Sequence, residues 1–140
     1  MRLLGIDYGR RRIGLALSDE SGILASPLPT YVRGRTEDRD IAVLVRLINK
    51  HGAANIVIGL PLNMDGSRGE MAREVEAFAD RLRQRTGLKV EQFDERLTSS
   101  EADRVLLEAD LSRRRRKELR DSLSAVLILQ GYLDRRNSSE

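Results

Sequence analysis

The sequence contains no cysteine, no tryptophan and a single histidine, His51. Without cysteine there can be no disulfide framework, thiolate catalysis, iron–sulfur cluster or cysteine zinc site. One histidine cannot build a multi-histidine metal site, and its place beside Gly52 at an apparent helix end favours an interaction with the helix dipole. Any catalysis must therefore rest on carboxylates, hydroxyls and basic side chains, with a hard metal ion as an optional addition.

Long apolar runs are also missing. No stretch approaches the ~18 residues of a membrane span, and the N-terminus reaches Asp7 too early for a signal peptide. A chain of 140 residues is long enough for one domain with a sizeable core. We therefore expect a cytoplasmic protein with a single domain at residues 1–136 and a frayed tail at residues 137–140.

Aromatic residues make up only 4% of the chain, whereas charged residues make up 34%, well above the usual ~25%. Of the 25 basic residues, 22 are arginines, whose forked donors suit phosphate groups. The net charge of +3 is unevenly spread: residues 1–36 carry +3, residues 37–111 carry −4 and residues 112–140 carry +4. Two basic ends favour a nucleic-acid partner bound through its backbone, since a base-stacking platform needs more aromatic side chains.

The apolar pattern changes its period along the chain. Short apolar runs between turn residues predict three antiparallel strands within residues 3–32, after which helical spacing alternates with buried strands. The predicted order is βββαβαβαα, an α/β fold with a mixed five-stranded sheet, three antiparallel strands followed by parallel strands, and helices on both faces. Ser67 and Thr98 each precede a glutamate by three residues, which predicts two capping boxes, and Ser112 is expected to cap one long final helix.

Three acidic positions stand out because of where they fall. Asp7 ends the first predicted strand, Glu95 follows the last one and Asp121 lies within the final predicted helix. Ligands gather at the carboxyl ends of strands in α/β sheets, and carboxylates brought together there repel one another unless a cation joins them. Oxygen ligands alone suit Mg²⁺ or Mn²⁺, which typically act on phosphates.

Each acidic residue also has a simpler interpretation. Asp7 is equally typical of a turn, and Glu95 can form a surface ion pair with Arg96. Asp121 can pair with Lys117, four residues earlier on the same predicted helix. The three carboxylates together therefore carry more weight than any one of them.

Two glycine-rich turns add candidate phosphate contacts. The turn from Asp7 to Gly14 lets the backbone approach a phosphate closely and holds three arginines. The segment at residues 59–67 leaves a predicted strand and enters a helix N-terminus, which is a natural anion site. Plain tight turns are the alternative for both segments.

Four blocks of sequence match one known family. They are GIDYG at 5–9 with RIGLA at 12–16, IGLPLNMDG at 58–66, DERLTS at 94–99, and DSLSAV at 121–126 preceded by Lys117. Through these blocks the chain, from Leu4 to about Leu133, resembles the YqgF-type pre-16S rRNA nucleases. These are also described as Holliday-junction-resolvase-like proteins of the ribonuclease H-like superfamily.

The resemblance implies a ribonuclease H-like fold, a nuclease that uses Mg²⁺ or Mn²⁺, and a role in maturing the 5′ end of 16S ribosomal RNA. By position it implies Asp7, Glu95 and Asp121 as the catalytic and metal-binding residues. It adds Arg96 and Lys117 as phosphate contacts, with an ion pair to Asp121 as the equal alternative for Lys117. With the two glycine-rich turns, the expected substrate contacts are Gly9, Arg10, Arg11, Arg12, Asn63, Ser67, Arg96 and Lys117.

Other functions stay open. The same site could serve a Holliday-junction resolvase that cuts structured DNA, which would require a two-fold dimer that the sequence does not show. A non-catalytic nucleic-acid-binding factor in ribosome assembly could keep the fold, although the three carboxylates argue against it. A nucleotide-binding protein of the sugar-kinase or actin type needs two such domains around a cleft. We expect a monomer or weak dimer acting on precursor ribosomal RNA, alone or in a pre-ribosomal particle, with no membrane partner.

Overall fold

The computed structural model describes residues 1–98, 105, 108, 109 and 111–138. Its one sheet has the strand order β3-β2-β1-β4-β5, in which β1–β2 and β2–β3 are antiparallel and β1–β4 and β4–β5 are parallel. This confirms the mixed sheet predicted from the sequence. The strands are β1 Arg2–Asp7, β2 Arg12–Ser18, β3 Ala25–Val32, β4 Ala53–Leu60 and β5 Lys89–Asp94.

The helices follow the predicted order. They are α1 Glu37–His51, α2 Glu70–Thr86, α3 Arg113–Glu118 and α4 Ser122–Ser138, with a short 3₁₀ helix at Glu95–Leu97. Both α1 and α2 end at a glycine in the left-handed region, Gly52 (φ 67°) and Gly87 (φ 69°), as their sequences predict. Within the described residues, no helix combines the length and the apolar character that a membrane span requires.

Alternation along the strands gives the sheet two cores. One face carries large aliphatic side chains that pack under α1 and α2, and each contributes ~1.5–3 kcal/mol when fully buried. The other face packs under α4 and has fewer large residues, among them Leu3, Val57 and Phe93. The aliphatic face contributes Leu4, Ile6, Ile13, Leu15, Ile56 and Ile58, which are all at most 1% exposed.

The capping box predicted at Ser67 is wrong. Helix α2 begins at Glu70 with Gly69 as its N-cap residue and no side-chain capping hydrogen bond. The Ser67 hydroxyl instead donates to Asp65 Oδ1 at 2.6 Å and accepts from Asn63 Nδ2 at 3.0 Å. Because the Ser67 hydroxyl already bonds Asp65, two residues earlier, Ser67 stays in the loop and does not cap the helix. The box predicted at Thr98 depends on Glu101, which lies outside the described residues.

The long final helix predicted from Ser112 is in fact two helices. Ser112 does cap α3, because its Oγ accepts from the Arg115 N–H at 3.3 Å. The chain then turns at residues 119–121, where Leu119 is buried. Helix α4 starts at Ser122, whose Oγ accepts the backbone N–H of Leu15 at 3.1 Å. This bond fixes the first residue of α4 against β2, so the helix axis changes there and Asp121 lies in the turn.

The C-terminal end of α4 extends further than the sequence predicts. The helix includes Asn137 and Ser138, two of the four residues expected to fray, whereas residues 139 and 140 lie outside the described part. Asn137 Nδ2 donates to the Gly22 carbonyl oxygen at 3.1 Å. That contact ties the last turn of the helix to the loop between β2 and β3.

Candidate active site

Asp7, Glu95 and Asp121 lie at one edge of the sheet. Asp7 ends β1, Glu95 follows β5 and Asp121 immediately precedes α4. Asp7 pairs with Gly14 across the antiparallel β1–β2 ladder. A Cβ atom on Gly14 would lie 2.1 Å from the Asp121 carbonyl oxygen, so only glycine lets the α3–α4 turn come this close. Gly14 therefore brings Asp121 next to the end of β1.

Gly59 allows the same close approach for Glu95. The parallel β1–β4 register pairs Ile6 with Ile58, which puts Gly59 beside Asp7. A Cβ atom on Gly59 would lie 3.0 Å from Glu95 Cγ. The Glu95 side chain thus crosses the end of β4 toward the strand that ends in Asp7.

Asp94 and Arg96 fix the direction of Glu95. Asp94 accepts the Arg96 backbone N–H at 2.9 Å and its guanidinium at 2.8–3.1 Å, which lowers the pKa of Asp94. Arg96 Nη1 also donates to the Met64 carbonyl oxygen at 3.2 Å. The Glu95 carboxyl receives no such bond from Arg96. Its burial, together with the adjacent Asp94 charge, raises the pKa of Glu95. Asp94 organises the turn, and Glu95 is the carboxyl directed inward.

Asp121 has an unsatisfied oxygen. Among the described residues, its Oδ2 is a buried side-chain atom without a hydrogen-bond partner, although the side chain as a whole is 31% exposed. Arg12 Nε lies 3.4 Å from Oδ2, close enough for an ion pair but outside hydrogen-bond geometry. Buried polar atoms are rarely left unpaired, so this oxygen is suited to bind something the protein does not supply.

The predicted pair between Lys117 and Asp121 does not form. The turn at residues 119–121 separates the two side chains, and Arg12 is the cation beside Asp121. Lys117 is exposed on α3, with no ion pair to an acid among the described residues. Its role as a phosphate contact stays a prediction.

The donor set fits a hard divalent cation in its chemistry. Asp7, Glu95 and Asp121 offer only oxygen atoms, and one of these is buried without a hydrogen bond. In the described part of the chain, however, no three acidic or histidine side chains stand close enough together to hold a metal ion as the structure is, so the carboxylates would have to draw together around it. Glycine at positions 14 and 59 leaves room for the Asp121 backbone and the Glu95 side chain to come close to the sheet.

The turn after Asp7 divides the three predicted arginine contacts between the two faces of the sheet. Arg12 lies on the α4 side beside Asp121. Arg10 turns toward α2, where its Nε donates to Glu74 Oε2 at 3.0 Å, and this bond raises the pKa of Arg10. Arg11 lies between them and is exposed. The structure thus brings Arg12 to the site and engages Arg10 elsewhere.

Gly9 forms a tight turn held by Arg33. A Cβ atom on Gly9 would lie 2.3 Å from the Arg12 carbonyl oxygen, which explains the glycine. Arg33 Nη1 donates to the Gly9 carbonyl oxygen at 3.1 Å, and its guanidinium lies 5.0 Å from the centroid of the Tyr8 ring. The turn next to Asp7 is therefore held from the α1–α2 side of the sheet.

Asp40 anchors that arginine, and our sequence reasoning missed it. It is 1% exposed and accepts hydrogen bonds from Arg33 Nε at 2.9 Å, Tyr31 Oη at 2.8 Å and the Gly34 N–H at 2.8 Å. Burial alone would raise the pKa of Asp40, but these three bonds outweigh it and hold the pKa below its ordinary value. The helical period did signal burial, because Asp40 shares its face of α1 with Leu44.

The loop between β4 and α2 is closed by its own hydrogen bonds. The Asn63 N–H donates to the Ser67 carbonyl oxygen at 2.9 Å, in addition to the bond between their side chains. Arg96 reaches this loop through Met64, so the ends of β4 and β5 are joined. Asn63 and Ser67 are exposed near the site, and substrate contact by them and by Arg96 stays a prediction.

Two solved structures are similar in fold. T. thermophilus RuvC in complex with a Holliday junction substrate has a TM-score of 0.65 and 17% identity, with 99% of this chain and 97% of that chain covered. The large terminase nuclease from thermophilic phage G20c has a TM-score of 0.56 and 16% identity, over 93% and 80% of the two chains. Likeness at this level establishes the fold, which is ribonuclease H-like.

The family described as RuvX: Holliday junction resolvase matches residues 1–135, and the chain belongs to this family of nucleases. A relative from Moorella thermoacetica is 52% identical over 135 residues, which is 96% of each chain. One from Halothermothrix orenii is 44% identical over 137 residues, covering 98% of this chain and 97% of the relative. Both bear the name "Putative pre-16S rRNA nuclease".

Proposed function

We propose that this chain is a divalent-metal-dependent nuclease that hydrolyses phosphodiester bonds during 5′-end maturation of pre-16S ribosomal RNA. The observation that carries the proposal is Asp121 Oδ2, which is buried without a hydrogen bond among the described residues, at the same sheet edge where β1 ends in Asp7 and β5 is followed by Glu95. The names of the full-length relatives support the RNA substrate. The enzyme acts in the cytoplasm as a monomer or weak dimer, on free precursor or on a pre-ribosomal particle.

Asp7, Glu95 and Asp121 would hold the cation, which we assign as Mg²⁺ or Mn²⁺ because all the donors are oxygens. When bound, such an ion neutralises phosphate charge and lowers the pKa of water at the site. The protein's own contribution is to position the three carboxylates. Strand β1 fixes Asp7, the turn built by Asp94 and Arg96 fixes Glu95, and the start of α4 fixes Asp121.

Basic residues around the edge supply attraction for the nucleic-acid backbone. Arg12 is beside Asp121, Arg11 is exposed in the turn after Asp7, and α3 places exposed arginines just before Asp121. Each phosphate neutralised by these side chains releases counterions, so binding should weaken steeply with salt. With few aromatic residues in the chain, we infer recognition of backbone and shape rather than of stacked bases.

The decisive test compares Asp7→Asn with the wild type on a structured RNA that spans the mature 5′ end of 16S, in Mg²⁺. We expect the variant to lose at least ~10³-fold in kcat while still binding the RNA, because the change removes one ligand charge and keeps the shape. EDTA should stop the wild-type reaction. Cleavage by Asp7→Asn at the wild-type rate, or in EDTA, would contradict the metal site.

Asp80→Asn is the matched control. Asp80 is an exposed aspartate on α2 that pairs with Arg83, away from the carboxylate edge. This variant has the same change of charge and should keep wild-type kcat. In cells, depletion should cause 16S precursors to accumulate, and wild type but not Asp7→Asn should restore maturation.

Holliday-junction cleavage is the second candidate, favoured by the family description and by the likeness to RuvC. The same active edge would serve either substrate. A four-way DNA junction should be assayed beside the RNA under identical conditions. Symmetric cuts in the junction with intact RNA, or accumulated junctions with normal 16S in depleted cells, would favour this candidate over rRNA maturation.

A further inference from the structure

Arginines on the two sides of α1 differ in their partners. On the α2 side, Arg81 pairs with Glu37 and Arg85 with Asp38, at 2.9 Å and 3.7 Å. On the outer side of α1, Arg39 and Arg46 are exposed, and neither guanidinium has an ion pair or hydrogen bond among the described residues. Exposed cations without acidic partners remain available to an external anion.

Arg39 and Arg46 lie at the two ends of a groove. They are seven residues apart on one face of α1, which corresponds to ~10.5 Å along the helix axis. Ala42 and Val43 lie between them, and the groove has a volume of about 310 Å³. It exists because β3 is an edge strand, so no further strand or described helix covers this side of α1. We call it the α1 groove.

The α1 groove connects to the active edge around the end of β3. Arg12, beside Asp121, pairs with Val32 across the β2–β3 ladder, and neighbouring strands are ~4.8 Å apart. Val32 is 70% exposed and is followed within three residues by Arg35, which is also exposed. A nucleic-acid strand that leaves the carboxylate edge can therefore follow Arg12, Val32 and Arg39 into the α1 groove without crossing a helix.

We propose that the α1 groove binds the phosphate backbone of the substrate's flank, a few nucleotides from the cleaved bond. The inference rests on the proposed function, because it takes the substrate to be a nucleic acid. Arginine forks match phosphate oxygens, and two of them spaced along one helix fit a repeating polyanion. The lining Tyr31 donates its hydroxyl to Asp40, so the groove offers charge rather than base-specific polar groups.

The test is the double variant Arg39→Gln/Arg46→Gln, measured by binding to the 16S-leader RNA at a series of salt concentrations without metal. Each lost phosphate contact removes ~0.7–0.9 from the slope of log affinity against log salt. We therefore expect the slope to fall by about 1.4–1.8 and affinity near 0.15 M salt to fall about tenfold. Arg39→Lys/Arg46→Lys, which keeps both charges, should retain most of the slope.

Two controls separate a defined site from general electrostatics. Arg2→Gln/Lys89→Gln removes the same charge at the starts of β1 and β5, the strand ends opposite the carboxylates, and should change the slope by less than ~0.5. An RNA trimmed to the nucleotides next to the cleavage point cannot reach the groove, so the loss caused by Arg39→Gln/Arg46→Gln should disappear with it.

The proposal that the α1 groove binds phosphates would be overturned by an unchanged salt slope in Arg39→Gln/Arg46→Gln. It would also be overturned if the slope fell equally with the trimmed RNA or in the control variant. Failure of the proposed function has a different signature. A wild type that never cleaves the RNA yet shows the groove-dependent slope would leave the groove standing and refute the nuclease assignment for that substrate. Melting curves of all variants should coincide, because the substituted side chains are exposed.

Discussion

The two faces of the sheet are made by alternate residues of the same strands, and they differ in side-chain size. On β1, Leu4 and Ile6 face α1 and α2, whereas Gly5 faces α4 and the next residue on that side is Asp7. On β4, Ile58 and Gly59 divide in the same way. Large side chains on one face fill a core, and small ones on the other let α4 and the carboxylates come close.

This difference separates stability from activity within a few ångströms. The α1–α2 face buries the larger aliphatic area and should carry most of the hydrophobic stabilisation. The α4 face gives up part of that stabilisation at its glycines, and in exchange it accommodates the backbone of Asp121 and the side chain of Glu95. Substitutions on the α1–α2 face should therefore mainly lower the free energy of unfolding, whereas those at the glycines of the α4 face should also lower kcat.

Gly14→Ala should have the largest effect. Its Cβ would lie 2.1 Å from the Asp121 carbonyl oxygen, which is backbone and cannot rotate away. We expect a loss of at least ~3 kcal/mol in the free energy of unfolding and more than 100-fold in kcat, because the α3–α4 turn must move. Gly34→Ala is the control, since its Cβ would meet only ordinary contacts at 3.6 Å, and it should stay within ~1 kcal/mol.

Adjacent substitutions on β4 test the comparison directly. Ile58→Ala should cost about 2–5 kcal/mol in the free energy of unfolding, with kcat near wild type below the melting transition. Gly59→Ala should lower kcat about tenfold with a smaller change in stability, because its Cβ presses on the movable Glu95 and Ile128 side chains. Denaturant unfolding and single-turnover cleavage measure the two quantities. If the two variants changed stability and kcat to the same extent, stability and activity would not be separated between the two faces of the sheet.

Asp40→Asn should destabilise the fold by about 2–3 kcal/mol, because it leaves the largely buried Arg33 charge without its partner. The pKa of Asp40 lies below its ordinary value, so its contribution is present above that value, ~3.9, and is lost as pH falls through the folded pKa. The difference between wild type and variant should thus be constant above pH ~5 and shrink below pH ~4. A difference that grew in acid would contradict this sign.

Arg12→Gln should have the smallest effect. The Arg12–Asp121 contact is 3.4 Å long and partly exposed, so it is worth at most ~1 kcal/mol to stability. We expect KM for the precursor RNA to rise a few-fold with kcat nearly unchanged, because a phosphate contact is lost while the carboxylates stay in place. A fall in kcat with constant KM would instead make Arg12 a positioning residue for Asp121.

Features set by local pattern could be predicted from the sequence. The element order, the glycine-terminated helices and the strand-end positions of Asp7 and Glu95 follow from apolar period and turn residues, and the structure agrees. Three carboxylates at one sheet edge could also be expected from topology. Which of Asp94 and Glu95 faces inward could not be read from spacing alone, and it is decided by the hydrogen bonds to Arg96.

Features set by contacts between distant residues were missed. The break before α4 depends on Ser122 bonding Leu15, and the partner of Asp121 is Arg12 rather than its sequence neighbour Lys117. Local pattern also gave no sign that Arg10, whose substrate contact stays a prediction, pairs with Glu70 and Glu74 on α2. Pairings of this kind compete across the whole fold, so no local pattern decides them.

The bond between Leu15 and Ser122 also has a consequence for the order in which the three carboxylates reach the sheet. These residues are 107 positions apart, and α4 is the last described helix to be synthesised. Translation supplies Asp7 and Glu95 long before Asp121 and the helix that covers their side of the sheet. A nascent chain that has exposed β1 to β5 but not yet α4 therefore holds Asp7 and Glu95 without Asp121, and the third carboxylate joins them only when α4 packs on the sheet.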